Sequence, residues 1–372
     1  MRILQAFEFM SLPHGGGTVE AVYKLSRALQ QRGHEVTLCV SDWELDKDYL
    51  KSLDVNLKLF HNWAKIANIC FMPDILKLNV RDYDVIHLHC YRSFQNVVLS
   101  YKALKHGVPY IIDPHGSNKK FGKSLFKSLY DVVFKRLLDG ASKIIAETEL
   151  DVKDYADKSK VVVLRSIFDI NEYDCLPKRG LFRTKYGIKT PIILFMGRIN
   201  KIKGLEYLVN SFDKLSRAYD AILVIAGQDD GYRTELEAKI KSLGLSDRVL
   251  FTGYLKGDDK KSAMVDADML VQPSINEAGA RPSFESILCR TPVIVTKNTG
   301  AGNDIRDIDG GILFDYGDIE GMSKAMQYIL DNKDDAKIKT LKAKELIRTK
   351  LSVEFQVNKY EELYKNTCIS RL

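Results

Sequence analysis

Short apolar runs alternate with helical patterns twice over along this chain, and that alternation restricts its fold more than any single motif. In the first half, residues 2–7, 35–40, 84–89, 109–113, 143–146 and 161–164 read as strands. Between 18 and 32, Val22, Leu25 and Leu29 share one helical face, and Gly33 closes that helix. Strands separated by helices imply right-handed βαβ units and a parallel sheet covered on both faces. A second alternation starts at Pro191, with strands expected at 192–196, 221–226, 249–251, 269–272, 293–296 and 311–314. The joint, 169–190, carries Pro177, Gly180, Gly187 and many charges. A length of 372 residues agrees with two domains at roughly 150 residues each. Two such α/β halves imply a cleft, with ligands held at the carboxyl ends of strands.

Composition narrows the class. An apolar fraction of 45% and a charged fraction of 28% describe an ordinary globular chain. No apolar run reaches the ~18–20 residues needed to span a bilayer. The opening MRILQAFEFM reads directly as a strand, without a signal-peptide pattern, and the six cysteines are scattered with no CxxC pair. A cytoplasmic protein with reduced thiols is expected. The net charge of +7 is concentrated between Tyr101 and Lys143, where nine Lys/Arg face three Asp. Within 121–138, Lys123, Lys127, Lys135 and Arg136 interleave with Phe121, Leu125, Phe126 and Leu129 at helical spacing. Two readings stay open: a core-facing helix with a solvated lysine face, or contact with an anionic membrane surface or acceptor. No nucleic-acid module is visible, so nucleic acid is not an expected partner.

The residues able to do chemistry cluster at expected strand ends. Gly15, Gly16 and Gly17 lie between the first strand and first helix, without GxGxxG or P-loop spacing. His115 and Gly116 follow the strand ending at Asp113. Gly197 and Arg198 follow the first strand of the second half, and Lys203-Gly204 opens its next helix. Arg198 and Lys203 suit a diphosphate, since arginine grips two oxygens and lysine acts as a point charge. In QPSINEAGARPSFESILCRTPVI (272–294), Glu277 falls in a loop, Pro282 fits a first helical turn, and Glu285 belongs to that turn. Two carboxylates then flank a helix N-terminus suited to phosphate; the bland alternative is an ordinary crossover with surface charges. His87 and His89 share a strand face without a third ligand at suggestive spacing, and Asp82-Tyr83-Asp84 reads as a turn. No metal and no cofactor are expected.

Motifs spread along nearly the whole chain resemble the retaining glycosyltransferases of family 4, which have the GT-B fold of two facing Rossmann-like domains. They are GGGTVEAVYKLSRALQQRGHEVTL, DVIHLH, IIDPHG, FMGRINKIKGLEYL, RVLFTGYL, EAGARPSFE with its E-x7-E spacing, TPVIVTKNTGAGNDI and FQVNKYEELY. The resemblance implies an acceptor domain over 1–170, a linker over 171–190, a donor domain over 191–350, and a final helix over 351–372 packing back on the first domain. It implies transfer of a hexosyl group from a nucleotide-diphosphate sugar to an acceptor hydroxyl, with retention. The acceptor expected on this resemblance is a lipid-linked or oligosaccharide acceptor, a lipid-linked glycan or cell-envelope polysaccharide precursor, and the expected place is the cytoplasm, with the inner face of the cytoplasmic membrane as one option.

By position, the resemblance gives Arg198 and Lys203 the diphosphate, Glu277 the sugar hydroxyls and Glu285 the ribose. The amides of Ala278, Gly279 and Ala280 face the donor, His115 lies near the reacting centre, Gly16 and Gly17 near the diphosphate, and Tyr254 near the base. Two departures stand out. Ser166-Ile167 replaces the family's usual Asn-Gly, and GARP at 279–282 replaces its Gly-Phe-Gly pattern. A catalytically silent GT-B subunit and a GT-B sugar-nucleotide epimerase are the alternatives.

Overall fold

A computed structural model describes residues 1–10, 12–45, 54–66, 69–115, 135–275, 277 and 279–369. The chain divides into two compact units, Met1–Asp169 with Val353–Leu372, and Ile170–Ser352.

The first unit holds β1 (Arg2–Phe9), α1 (Leu12–Gln31), β2 (Glu35–Ser41), β3 (Asn56–Phe60), β4 (Ala64–Ile66), β5 (Ile69–Phe71), β6 (Val85–His89), α2 (Phe94–His106), β7 (Tyr110–Asp113), β8 (Lys143–Ala146) and β9 (Val161–Val163). Among the described residues the main sheet has seven strands in the order β3-β2-β1-β6-β7-β8-β9, all pairs parallel. β4 and β5 form a separate antiparallel pair. Strand alternation sends Leu4, Ala6, Ile86, Leu88 and Ile112 into one apolar cluster. Ile3, Val85 and Ile111 go to the opposite face, with Leu25 and Leu29 of α1.

The second unit holds the short helix α3 (Leu181–Tyr186), β10 (Ile192–Met196), α4 (Leu205–Ser216), β11 (Ile222–Ala226), α5 (Arg233–Ser242), β12 (Val249–Gly253), α6 (Gly257–Asp266), β13 (Met269–Gln272), α7 (Arg281–Leu288), β14 (Val293–Thr296), α8 (Gly300–Asp307), β15 (Ile312–Phe314), α9 (Ile319–Asp331) and α10 (Lys333–Lys350). Its sheet runs β12-β11-β10-β13-β14-β15, all parallel. This is the 3-2-1-4-5-6 order of a doubly wound nucleotide-binding sheet, which places its switch point between β10 and β13. Near-continuous apolar strands such as IILFM and MLVQ agree with burial on both faces.

Two expected boundaries fall elsewhere in the structure. α1 begins at Leu12, so Gly15, Gly16 and Gly17 lie inside the helix and not before it. Pro13, lacking an amide hydrogen, suits the first turn, and each helical glycine costs about 0.5–1 kcal/mol relative to alanine. Residues 171–190 are no free linker. Ile170, Tyr173 and Phe182 are buried, the Gly180 and Arg183 amides donate to the Asp266 carboxylate, and the Arg183 guanidinium reaches Asp268 Oδ2 at 2.8 Å. The basic stretch 121–138 lies outside the described residues up to 134; residues 135–139 are helical, with Leu137 buried.

The last helix, α11 (Val353–Ile369), belongs to the first unit. Val357, Tyr360, Leu363 and Tyr364 join Ile3, Leu25, Val85 and Ile111 in one core. Glu361 Oε2 accepts from Arg32 at 3.1 Å and Oε1 meets His34 Nε2 at 2.9 Å. No helix among the described residues is long and apolar enough to cross a membrane.

One buried acid makes stability depend on pH. Glu8 on β1 accepts the Cys70 amide of β5, and burial pushes its carboxyl from 4.5 up to about 8. The fold therefore favours the neutral acid. This contribution is complete below the unfolded value, declines as pH rises, and is lost through about 8. Burial also raises Asp113, to about 6, which acts in the same direction. Glu8→Gln should therefore flatten, without abolishing, the fall in urea-unfolding free energy between pH 5 and 9. Parallel curves for the two proteins would refute the assignment.

Candidate active site

The second unit brings the ends of β10 and β13 together through glycine. At Gly204, after the 3-10 turn Lys201–Lys203, φ is +67° and a Cβ would lie 2.1 Å from the Pro273 carbonyl oxygen. The Ile275 amide donates to the Ile202 carbonyl at 3.2 Å across the same seam. Beside it, Lys203 Nζ sits 2.8 Å from Glu277 Oε1 and 2.7 Å from Oε2. Both side chains are 16% exposed, so the pair is partly dry yet open. A second close approach joins β10 and β11: a Cβ at Gly227 would stand 1.8 Å from the Gly197 carbonyl oxygen. The adjacent Arg198 is exposed and reaches Asp230 Oδ2 at 3.0 Å; Asn200 Nδ2 donates to that same oxygen at 2.9 Å.

Beyond Glu277 the loop is braced by α8. The Ala301 amide donates to the Glu277 carbonyl at 3.3 Å, and Asp304 Oδ2 accepts from the Ala280 amide at 3.1 Å. That bond changes the expectation for 278–280: the Ala280 N–H is already engaged by the protein, leaving Gly279, while Ala278 lies outside the described residues. Helix α7 starts at Arg281 with Pro282 in its first turn, as expected. Ser283 Oγ donates to Gln272 Oε1 at 2.6 Å, fastening the helix start to the end of β13.

Glu285 lies one residue deeper than the first turn and is buried, not presented at the helix tip. Lys260 Nζ of α6 is 2.6 Å from its Oε2, and Arg281 Nε is 3.5 Å from its Oε1. The Tyr173 hydroxyl is driven well above its ordinary value by burial and then by the Glu285 charge. The sequence reading missed Lys260 and Arg281. Arg281 was findable, since it stands one helical turn before Glu285. Lys260 was not, because nothing in its spacing connects α6 with α7. Tyr254 follows Gly253 at the end of β12 with its side chain exposed.

In the first unit, His115 follows β7 with φ at +46°. Its side chain is 5% exposed. Its Nε2 is 3.0 Å from His89 Nδ1, and the two rings stack at 5.2 Å and 13°. Its Nδ1 faces Glu147 Oε1 at 3.4 Å, Asp113 Oδ1 at 3.5 Å and Ser166 Oγ at 3.4 Å. Ser166, which departs from the family pattern, donates to Glu147 Oε1 at 2.5 Å. His87, His89 and Asp113 place ligand atoms within 4.8 Å of one another. Both His89 nitrogens are already hydrogen bonded, to His115 and to Gln5, so the trio does not offer three free ligand atoms. Gly16 and Gly17 lie in α1.

Residues 179–364 match the family model described as Glycosyl transferases group 1, and residues 15–170 match Glycosyltransferase Family 4. The chain belongs to the group 1 glycosyl transferases. It is 30% identical over 331 residues to the mannosylfructose-phosphate synthase of Agrobacterium fabrum, covering 77% of this chain and 72% of that one. Identity to the N-acetyl-alpha-D-glucosaminyl L-malate synthase of Bacillus anthracis is 24%, over 95% of this chain and 94% of the relative. The solved structure of Anabaena HepE in complex with UDP and glucose superposes with a TM-score of 0.83, at 18% identity, covering 98% of this chain and 100% of HepE. The two parallel-sheet units are those of the GT-B fold.

The Lys203–Glu277 pair is testable before any substrate is known. A double-mutant cycle of Lys203→Met and Glu277→Gln in urea unfolding should give a coupling of about 0.5–3 kcal/mol. Additive single effects would show that the pair does not hold the two loops together.

Proposed function

We propose that this glycosyltransferase moves a hexosyl group from a nucleotide-diphosphate sugar to an acceptor hydroxyl with retention of configuration. The observation that carries this reading is the Lys203–Glu277 pair at the switch point, where a cation and a carboxylate are held 2.7 Å apart and partly exposed. Lys203 and Arg198 take the diphosphate as negative charge grows on it. Glu277 holds sugar hydroxyls, Glu285 the ribose, the Gly279 amide the donor, and Tyr254 the base. To His115 we assign the neighbourhood of the reacting centre, and to Gly16 and Gly17 that of the diphosphate. UDP is the first nucleotide to test, because structures of HepE contain UDP and UDP-glucose.

Preorganised charges aimed at a leaving group contribute roughly 10²–10³ in rate each, by analogy with oxyanion holes. Retention is best served by attack on the departing face, a phosphate oxygen taking the acceptor proton. Glu277 as a covalent nucleophile is disfavoured because both its oxygens bind the Lys203 ammonium. The acceptor class we propose is a lipid-linked or oligosaccharide precursor of the cell envelope, reached from the cytoplasmic side. The basic 121–138 sequence supports it.

Thermal-shift measurements with UDP-, GDP- and ADP-sugars test the donor class; a sugar nucleotide at 100 times its Kd adds about 2.7 kcal/mol of stability. Stabilisation by UDP-sugars is expected, and no shift with any of the three would overturn the reading. Lys203→Ala should lower transfer at least about tenfold while the melting curve stays cooperative. Full activity in that variant would remove Lys203 from the site. An anomeric proton spectrum showing an inverted product would reject retention.

A further inference from the structure

A continuous hydrogen-bonded chain leads from the final helix to His115. Gln5 pairs in register with His87, and His89 with Asp113, so all four side chains fall on the sheet face beneath α11. Tyr364 OH lies 2.8 Å from His87 Nδ1 and accepts from Gln5 Nε2 at 3.0 Å. The Gln5 carbonyl oxygen then meets His89 Nε2, and His89 Nδ1 meets His115 Nε2 at 3.0 Å. Gln5, His87, His89 and Tyr364 are essentially inaccessible to water, so each bond is made where an unmade one is costly.

The direction of donation follows from the amide. Gln5 gives its NH₂ to Tyr364 and its oxygen to His89. A carbonyl oxygen only accepts, so His89 carries its proton on Nε2. Burial holds His89 well below its ordinary value and therefore neutral, with a lone pair on Nδ1. His115 must then donate through Nε2. Its other nitrogen faces Glu147 and Asp113, which are acceptors when ionised. Each ring nitrogen of His115 thus has an acceptor opposite it.

We propose that His89 is a positioning residue that, anchored through Gln5 to Tyr364 of the final helix, holds His115 as an imidazolium with both N–H groups directed into the protein. His115 in this arrangement is a fixed charge and not a proton-accepting base. The inference rests on the transferase reading only for the catalytic neighbourhood of His115. Among the described residues, the titratable groups facing the ring or sharing its field include Asp113 on β7, Glu147 after β8, and His87 and His89 on β6. Tyr155 and Tyr360 share the field of Asp113 and Glu147.

The test is histidine ring ¹⁵N NMR on the full chain, followed with pH, in wild type, His89→Leu, His89→Asn and Tyr364→Phe. Wild type should show His89 protonated on Nε2 alone and His115 protonated on both nitrogens near neutrality. His89→Leu removes the acceptor, so His115 should lose its proton about tenfold more readily, roughly one pH unit lower. Asparagine returns an oxygen near the Nδ1 position and should restore most of that shift. Tyr364→Phe frees the Gln5 amide to turn, and His89 should then show proton density on Nδ1. A wild-type His89 protonated on Nδ1 overturns the proposal, as does a His115 titration unchanged in His89→Leu or not recovered in His89→Asn. If His89→Leu does not fold, the wild-type pattern and Tyr364→Phe still decide it. Ring shifts need no donor, so this result and the donor screen fail separately.

Discussion

No side chain fits at position 204. The Pro273 carbonyl oxygen occupies the space, and the left-handed backbone there favours glycine independently. Much of the second unit's chemistry depends on this contact. The register Ile193↔Met269 and Leu194↔Leu270 sets the ends of β10 and β13 level, and Gly204 lets the two following loops touch. Lys203 is thereby delivered to Glu277 from a short, closed turn. A lysine reaching the same carboxylate across open solvent would lose roughly 2 kcal/mol of rotamer freedom. The Gly227–Gly197 contact repeats the device one strand over and fixes the loop that bears Arg198.

The strands were readable because both sheets are parallel and doubly covered, which writes them as short apolar blocks. Residues 143–146, 192–196, 269–272 and 293–296 coincide with strands in the structure. β3, β4 and β5 were missed for the opposite reason. NLKLF lies at a sheet edge with most of its residues partly or fully exposed, and the β4–β5 pair is three residues a side, so neither leaves a clear apolar pattern. At the site, residue types and strand ends were legible while partners were not. Nothing in the sequence shows that Ala280 donates to Asp304, or that Lys260 rests on Glu285, because those contacts join segments 24 and 25 residues apart.

The two glutamates of the E-x7-E spacing prove physically unlike. Glu277 is partly exposed, belongs to a loop, and binds one ammonium through both oxygens. Glu285 is nearly fully buried and shared between Lys260 and Arg281, one of them supplied by the GARP segment that departs from the family pattern. Two cations around one buried carboxylate leave a net positive charge beside the start of α7, where the backbone amides add to the same sign. The departure at 279–282 therefore changes the charge around the carboxylate assigned to the ribose and leaves both carboxylates in place.

The first unit organises its polar groups by continuing apolar rows. Ile3 leads to Gln5, Val85 to His87 and His89, and Ile111 to Asp113, each two residues further along the same face. A two-residue period turns an oil-filled interface under α11 into a hydrogen-bonded one toward the strand ends, with no change of backbone. Tyrosine is the covering residue that suits both regions, because its ring packs with Ile3 and Val85 while its hydroxyl meets Gln5 and His87. The docking of the final helix and the charge state of His115 are therefore set by one row of contacts. A change at Tyr364 that kept the ring and removed the oxygen would leave the packing largely intact and still alter His115, three hydrogen bonds away.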